Sequence, residues 1–115
     1  MKAHDIGIWG EELALKYLKK KGYKHIQSRY RTRLGEIDLI MRRGELVVFV
    51  EVKLRSSALS ALPRDYVTAS KQRKLQSAAL EWMAQNGGDI PVRFDVIEID
   101  MRDGKPCIAH IENAF

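Results

Sequence analysis

The sequence predicts an α/β fold, a central mixed β-sheet flanked by helices in the order αβββαββ. Two stretches place apolar residues at helical spacing, around Leu13–Leu18 and Leu75–Met83. Between and after them lie short runs rich in Val, Ile and Phe, bounded by turn-forming residues. That order of segments packs helices onto a sheet.

The first helix is expected from about Ile8 to Lys21, with Leu13, Ala14, Tyr17 and Leu18 as its apolar stripe and Gly22 as its stop. A short extended stretch, about Tyr23–Tyr30, leads to a basic loop at Arg31–Arg33. Two strands follow, Glu36–Met41 and Leu46–Leu54, joined by Arg42-Arg43-Gly44-Glu45 into a hairpin. The second is apolar enough to be buried on both faces. Ser56–Leu62 is small and Ser/Ala-rich and reads as a loop. A second helix runs from about Ala69 to Asn86, capped by Thr68 and ended by Gly87-Gly88. Two last strands, about Val92–Asp100 and Cys107–Glu112, flank Arg102-Asp103-Gly104-Lys105.

With 115 residues, 45% of them hydrophobic, the chain suits a single domain spanning 1–115 with one real core. The lone Cys107 excludes an internal disulfide and is expected to be a small buried hydrophobe. Met1–Ile8 lacks the apolar stretch of a signal peptide, and the longest apolar block, Leu46–Val50, is too short to span a bilayer. A cytoplasmic protein with no membrane partner is therefore expected. Charge is uneven: residues 1–43 hold eleven Lys/Arg against five Asp/Glu, whereas the remainder holds nine against ten. A one-sided basic surface, with Lys19, Lys20, Lys21, Arg31 and Arg33 as candidate nucleic-acid contacts, suits a polyanion. On charge alone, a merely solubilising face is an equal reading.

Charges inside core strands need a reason, because an unpaired buried charge costs several kcal/mol. Asp38 interrupts Ile37 and Leu39-Ile40, while Glu51 and Lys53 interrupt Val47–Leu54. Strand side chains alternate, so Glu51 and Lys53 share a face. An even-numbered hairpin loop sets Asp38 against an odd-numbered partner near Phe49 or Glu51, on that same face. Two adjacent carboxylates repel unless a cation or proton lies between them. Mg²⁺ or Mn²⁺ held by Asp38 and Glu51, with the Val52 carbonyl, would polarise a phosphate and acidify a bound water. Lys53 would position that water or offset charge on the phosphorane. A structural ion pair of Lys53 with Glu51 or Asp38 is the competing reading.

Asp38, then Glu51 thirteen residues on, then Glu-X-Lys resembles the PD-(D/E)XK nuclease pattern. The whole chain is similar to the YraN-like family of small bacterial predicted endonucleases, themselves similar to archaeal Holliday-junction resolvases. The matching pieces are Gly10-Glu11, Gly22-Tyr23, Gly35–Ile40, Phe49–Lys53, Lys71 with Arg73, and Arg93–Val96. The resemblance implies a restriction-endonuclease-like αβββαβ core and metal-dependent hydrolysis of DNA phosphodiester bonds, including branched DNA, by a symmetric dimer. One departure is visible: Ile37 stands where the pattern has proline, which shapes backbone and supplies no ligand.

Helix geometry separates Glu11, at the edge of the apolar stripe, from Glu12, which points away. Glu11 either reaches toward the metal, as the first-helix glutamate does in resolvase-like nucleases, or is an ordinary first-turn acid. Glu36 shares the face of Asp38 and is either a third carboxylate or, the favoured reading, a supporting residue paired with Arg33 or Lys53. Lys71, on the apolar side of its helix, either contacts the active site or phosphate, or snorkels to the surface. Asp95 is expected to pair with Arg93 or cap a backbone group; His4, His25 and His110 show no ligand spacing. Trp9, Tyr17 and Trp82 fall on helix stripes and are expected in the core. A nucleic-acid-binding module without turnover is the alternative function, and a small assembly protein with purely structural charges is a third.

Overall fold

The computed structural model describes residues 3–55 and 67–115, so the Ser56–Leu62 loop lies outside the described residues. The elements are α1 (Ala3–Lys20), β1 (Lys24–Arg31), β2 (Glu36–Arg43), β3 (Leu46–Arg55), α2 (Ala69–Gln85), β4 (Val92–Arg102) and β5 (Lys105–Ile111). The expected order αβββαββ holds throughout. Helix α1 begins more than a turn before the expected Ile8, with the acid Asp5 in its first turn, where the helix dipole favours negative charge. It closes at Gly22, whose φ of 94° is open to glycine. There the Tyr23 N–H donates to the Leu18 carbonyl and the Gly22 N–H to that of Lys19, a Schellman cap sealed by the buried pair Leu18 and Tyr23.

The five strands lie in the order β1-β2-β3-β4-β5. Neighbours are antiparallel except β3 and β4, which run parallel because α2 carries the chain across between them. This is a mixed sheet between two helices. On one face Ala14 and Leu18 of α1 cover Leu39, Met41, Val48, Val50, Ile97 and Ile99. On the other, Leu75, Ala78, Ala79 and Trp82 of α2 cover Ile37, Ile40, Val47 and Phe49. Isolated helices of this length are marginal in water. Burial, at roughly 1.5–3 kcal/mol per large apolar side chain, is therefore what holds α2 in place. Thr68 is its N-cap, accepting the Lys71 N–H at 3.2 Å.

Two expectations need correction. Cys107 is exposed, because it lies on the edge strand β5 opposite Asp100, at a position that neither helix covers. Trp82 is core as expected, but Trp9 and Tyr17 are only half-buried, flanking the α1 stripe rather than centring it. Asp95 pairs with Arg93 and also takes a backbone N–H, as expected. It accepts two hydrogen bonds from that guanidinium (both 2.8 Å), one from the Asn113 N–H, and lies 2.7 Å from His110 Nε2. Burial works to raise its pKa, yet these bonds hold the carboxyl below the usual range. His110 is thus a buried structural partner, and His25 a surface one beside Ser28. Among the described residues no helix is long and apolar enough to cross a membrane.

Candidate active site

Backbone pairing between β2 and β3 runs from Arg43↔Leu46 to Leu39↔Val50 and stops there. Both strands continue beyond that point, β2 paired with β1 back to Glu36 and β3 paired with β4 on to Arg55. The two-residue turn Gly44-Glu45 fixes a register that, carried one step past the last pair, would set Asp38 toward Glu51. At Asp38 the strand alternation also breaks: Ile37 and Ile40 both pack under α2, while Leu39 and Met41 pack under α1. Across β1, Arg29 takes a left-handed φ of 51°. The Val52 N–H donates at 2.8 Å to Asp38 Oδ2. A strand residue presents N–H and C=O along the same edge, so the Val52 carbonyl also points toward β2. The parting of β2 from β3 thus turns an ordinary ladder position into a side-chain site.

The electrostatics follow from that placement. The Asp38 carboxyl is pushed up to about 7, first by burial and then by the charge of Glu51; the Val52 N–H and Lys71 oppose the rise, and Glu11 adds to it. Glu51, only 6% exposed, receives Lys71 Nζ at 2.6 Å. Burial alone would lower Lys71, but its hydrogen bonds to Glu51 and Lys53 outweigh that and raise it. Lys53 is lowered, by burial and then by its hydrogen bond and charge repulsion with Lys71. Of the two lysines, Lys53 is thus the one that gives up its proton more readily. Lys71 belongs to the site and does not snorkel away.

Other candidates lie around this core at different distances. Glu11 is held by Arg29 at 2.7 Å, near enough to Asp38 to act on its charge but committed to a partner of its own. Glu36 is exposed and pairs with Arg31 at 3.3 Å, rather than with Arg33 or Lys53. Arg31 and Arg33 flank the β1–β2 loop at the site's end of the sheet. Lys19, Lys20 and Lys21 close the opposite end of α1, about 14 Å along the axis from Glu11. There Lys21 donates to the Tyr17 hydroxyl at 2.9 Å, and Arg43 stacks 4.4 Å over Tyr23. The basic half of the sequence therefore folds into two separate patches.

Gly35 explains how the β1–β2 loop is set. A Cβ there would run into the Lys74 carbonyl oxygen of α2, so only glycine lets the loop seat on that helix. Thr32 locks the loop, its Oγ1 accepting the N–H groups of Leu34 and Gly35 at 2.9 and 3.1 Å. Lys74, on the rim beside this loop, was not among the sequence candidates. Its spacing of three from Lys71 on a helix was the available signal.

The chain matches, over residues 10–99, the model of the uncharacterised protein family UPF0102. It belongs to that family. The UPF0102 protein of Syntrophomonas wolfei is 44% identical over 112 residues, covering 96% of this chain and 97% of the relative. That of Alkaliphilus oremlandii is 44% identical over 113 residues with the same coverage. The UPF0102 protein of Geobacter metallireducens is 46% identical over 111 residues, covering 96% and 91%. UPF0102 is the YraN-like group that the sequence resembles, and residues 10–99 include Glu11, Asp38, Glu51, Lys53 and Lys71.

Proposed function

We propose that this UPF0102 protein is a metal-dependent phosphodiester hydrolase of the PD-(D/E)XK kind, acting as an endonuclease on DNA, branched DNA included. One observation carries the reading: where β2 parts from β3, Asp38 and Glu51 lie close enough to act on each other's charge, beside Lys53 and Lys71. Among the described residues no three His, Cys, Asp or Glu side chains close on a common point. The donor set would be two carboxylates with the Val52 carbonyl, all oxygen. That fits Mg²⁺ or Mn²⁺, which keep waters and substrate phosphate for the rest of their shell. A bound divalent ion would supply Lewis-acid polarisation of the phosphate and a more acidic water.

The chain's own groups have distinct parts. Asp38, oriented by the Val52 N–H, and Glu51 would hold the cation. Lys53 would position the attacking water or offset charge building on the phosphorane. Lys71 would leave Glu51 for the non-bridging phosphate oxygens. Glu11, through Arg29, would keep the mouth of the site in shape. A symmetric dimer would offer two such sites to a branched substrate.

The test is hydrolysis of labelled linear, flap and four-way DNA with Mg²⁺ or Mn²⁺. The expected result is cleavage that falls at least about a hundredfold in the Asp38→Asn, Glu51→Gln double variant. Cleavage equal in both proteins would sink the proposal. The short Lys71–Glu51 contact favours one second reading, in which the lysine is a permanent counter-ion in a binding module without turnover. That reading predicts salt-dependent DNA binding unaffected by the double substitution and no hydrolysis with either metal.

A further inference from the structure

Beside the site, two surface grooves share Gly35, Glu36 and Lys74 and so form one channel. The inner part, about 310 Å³, lies against the first turns of α2, at Thr68, Ser70 and Lys71. The outer part, about 340 Å³, passes over Arg31, Arg33 and Leu34. Four cations line the whole, Arg31, Arg33, Lys71 and Lys74. They face one carboxylate, Glu36, itself paired with Arg31.

Three features distinguish this channel from a solubilising surface. Its inner end is Lys71, whose ammonium touches Glu51 of the site. Its walls are set before any ligand arrives: the Thr32 N–H donates to the Gly35 carbonyl at 2.8 Å, and Gly35 seats on the Lys74 backbone. A loop already ordered loses less freedom on binding than a free one does. Finally, Leu34 stands 53% exposed at the loop tip among the cations, an apolar surface suited to a sugar or base face. Cations in series with an apolar neighbour match an extended polyanion better than a single phosphate.

We propose that this channel binds the sugar–phosphate backbone of a nucleic-acid strand leading away from the Asp38–Glu51 site, with Arg31, Arg33 and Lys74 as phosphate contacts. The inference rests on the hydrolase reading for where the strand leads, but its test does not need turnover. Lys19–Lys21, at the far end of α1, lie off this path.

Fluorescence anisotropy of labelled DNA and RNA, single-stranded and duplex, with the full chain in EDTA at several salt concentrations tests it. Arg33→Ala with Lys74→Ala should weaken binding about tenfold or more and lower the salt slope by about 2. Lys19→Ala, Lys20→Ala, Lys21→Ala should change it less, and thermal melting of each variant checks that it folds. The DNA and RNA arms show which backbone is taken. An unchanged affinity and slope in the Arg33, Lys74 variant overturns the proposal, as does no binding by the parent protein. Channel-dependent binding without metal-dependent cleavage upholds the channel and defeats the hydrolase reading. Cleavage whose KM ignores Arg33 and Lys74 defeats the channel and leaves the hydrolase standing.

Discussion

Asp38 shows how much one side chain can depend on its neighbours. In an unfolded chain its carboxyl would titrate near 4; in the fold it is pushed up to about 7. Between those values the folded protein binds the proton more tightly, so stability falls as pH rises from about 4 through 7. Above pH 7 the penalty is complete. Asn is isosteric and keeps an oxygen to accept the Val52 N–H, but it carries no charge. Asp38→Asn should therefore raise the stability of the metal-free protein at pH 8 by about 1–3 kcal/mol, within the ceiling set by a three-unit shift. Urea titrations at pH 8 and pH 4.5 check this, since the gain should shrink toward zero at the lower pH. A destabilised variant at pH 8 would mean that the carboxylate is better compensated than its burial implies. At this scale the sequence was informative about which residues matter: Asp38, Glu51 and Lys53 stand out as charges in apolar strands. It left open where Lys71 goes, since an inward-facing lysine can snorkel or pair, and only the partner decides.

Among the elements, the β1–β2 loop and α2 act as one unit. Gly35 lies against helix backbone, which cannot yield, whereas Gly10 of α1 lies against the end of the flexible Leu54 side chain, 2.9 Å from an added Cβ. Gly35→Ala should thus cost about 2–3 kcal/mol by forcing the loop off α2. Gly10→Ala should fall within about 0.5 kcal/mol of neutral, because the gain in helix propensity offsets a small shift of Leu54. Denaturant midpoints of the two variants test the contrast, and equal costs would contradict it. The element order and the Thr68 cap were readable from sequence because periodicity and capping are local. The early start of α1 was less so: the sequence does not alternate cleanly before Ile8, and the helix extends there all the same. Exposure of Cys107 also escaped the sequence, since an edge strand looks like a central one until its neighbours are counted.

Across the whole molecule, the sheet is continuous at the hairpin end and parted between β2 and β3 at the other. Under the proposed function, a divalent ion would join the two halves across that gap through Asp38 and Glu51. Saturating Mn²⁺, near 100 times its Kd, should then add about 2.7 kcal/mol. For a domain of this size that is a rise in Tm on the order of 10 °C. Differential scanning calorimetry at pH 8 measures it, and the Asp38→Asn, Glu51→Gln variant should show no such rise. Equal shifts in both proteins would place the ion elsewhere.

The sequence by itself determined the order of elements, the mixed α/β architecture and the three in-strand charges, because each is written in patterns only a few residues long. Counting the hairpin loop as even also placed Asp38 near Phe49 or Glu51, and in the fold the charge of Glu51 acts on it. Only the tertiary structure decided that β2 and β3 part beyond Leu39 and Val50 and that Lys71 reaches Glu51 from another element. It also divided the basic residues between two ends of the molecule. These depend on contacts between segments far apart in the chain, where no local periodicity constrains what meets what.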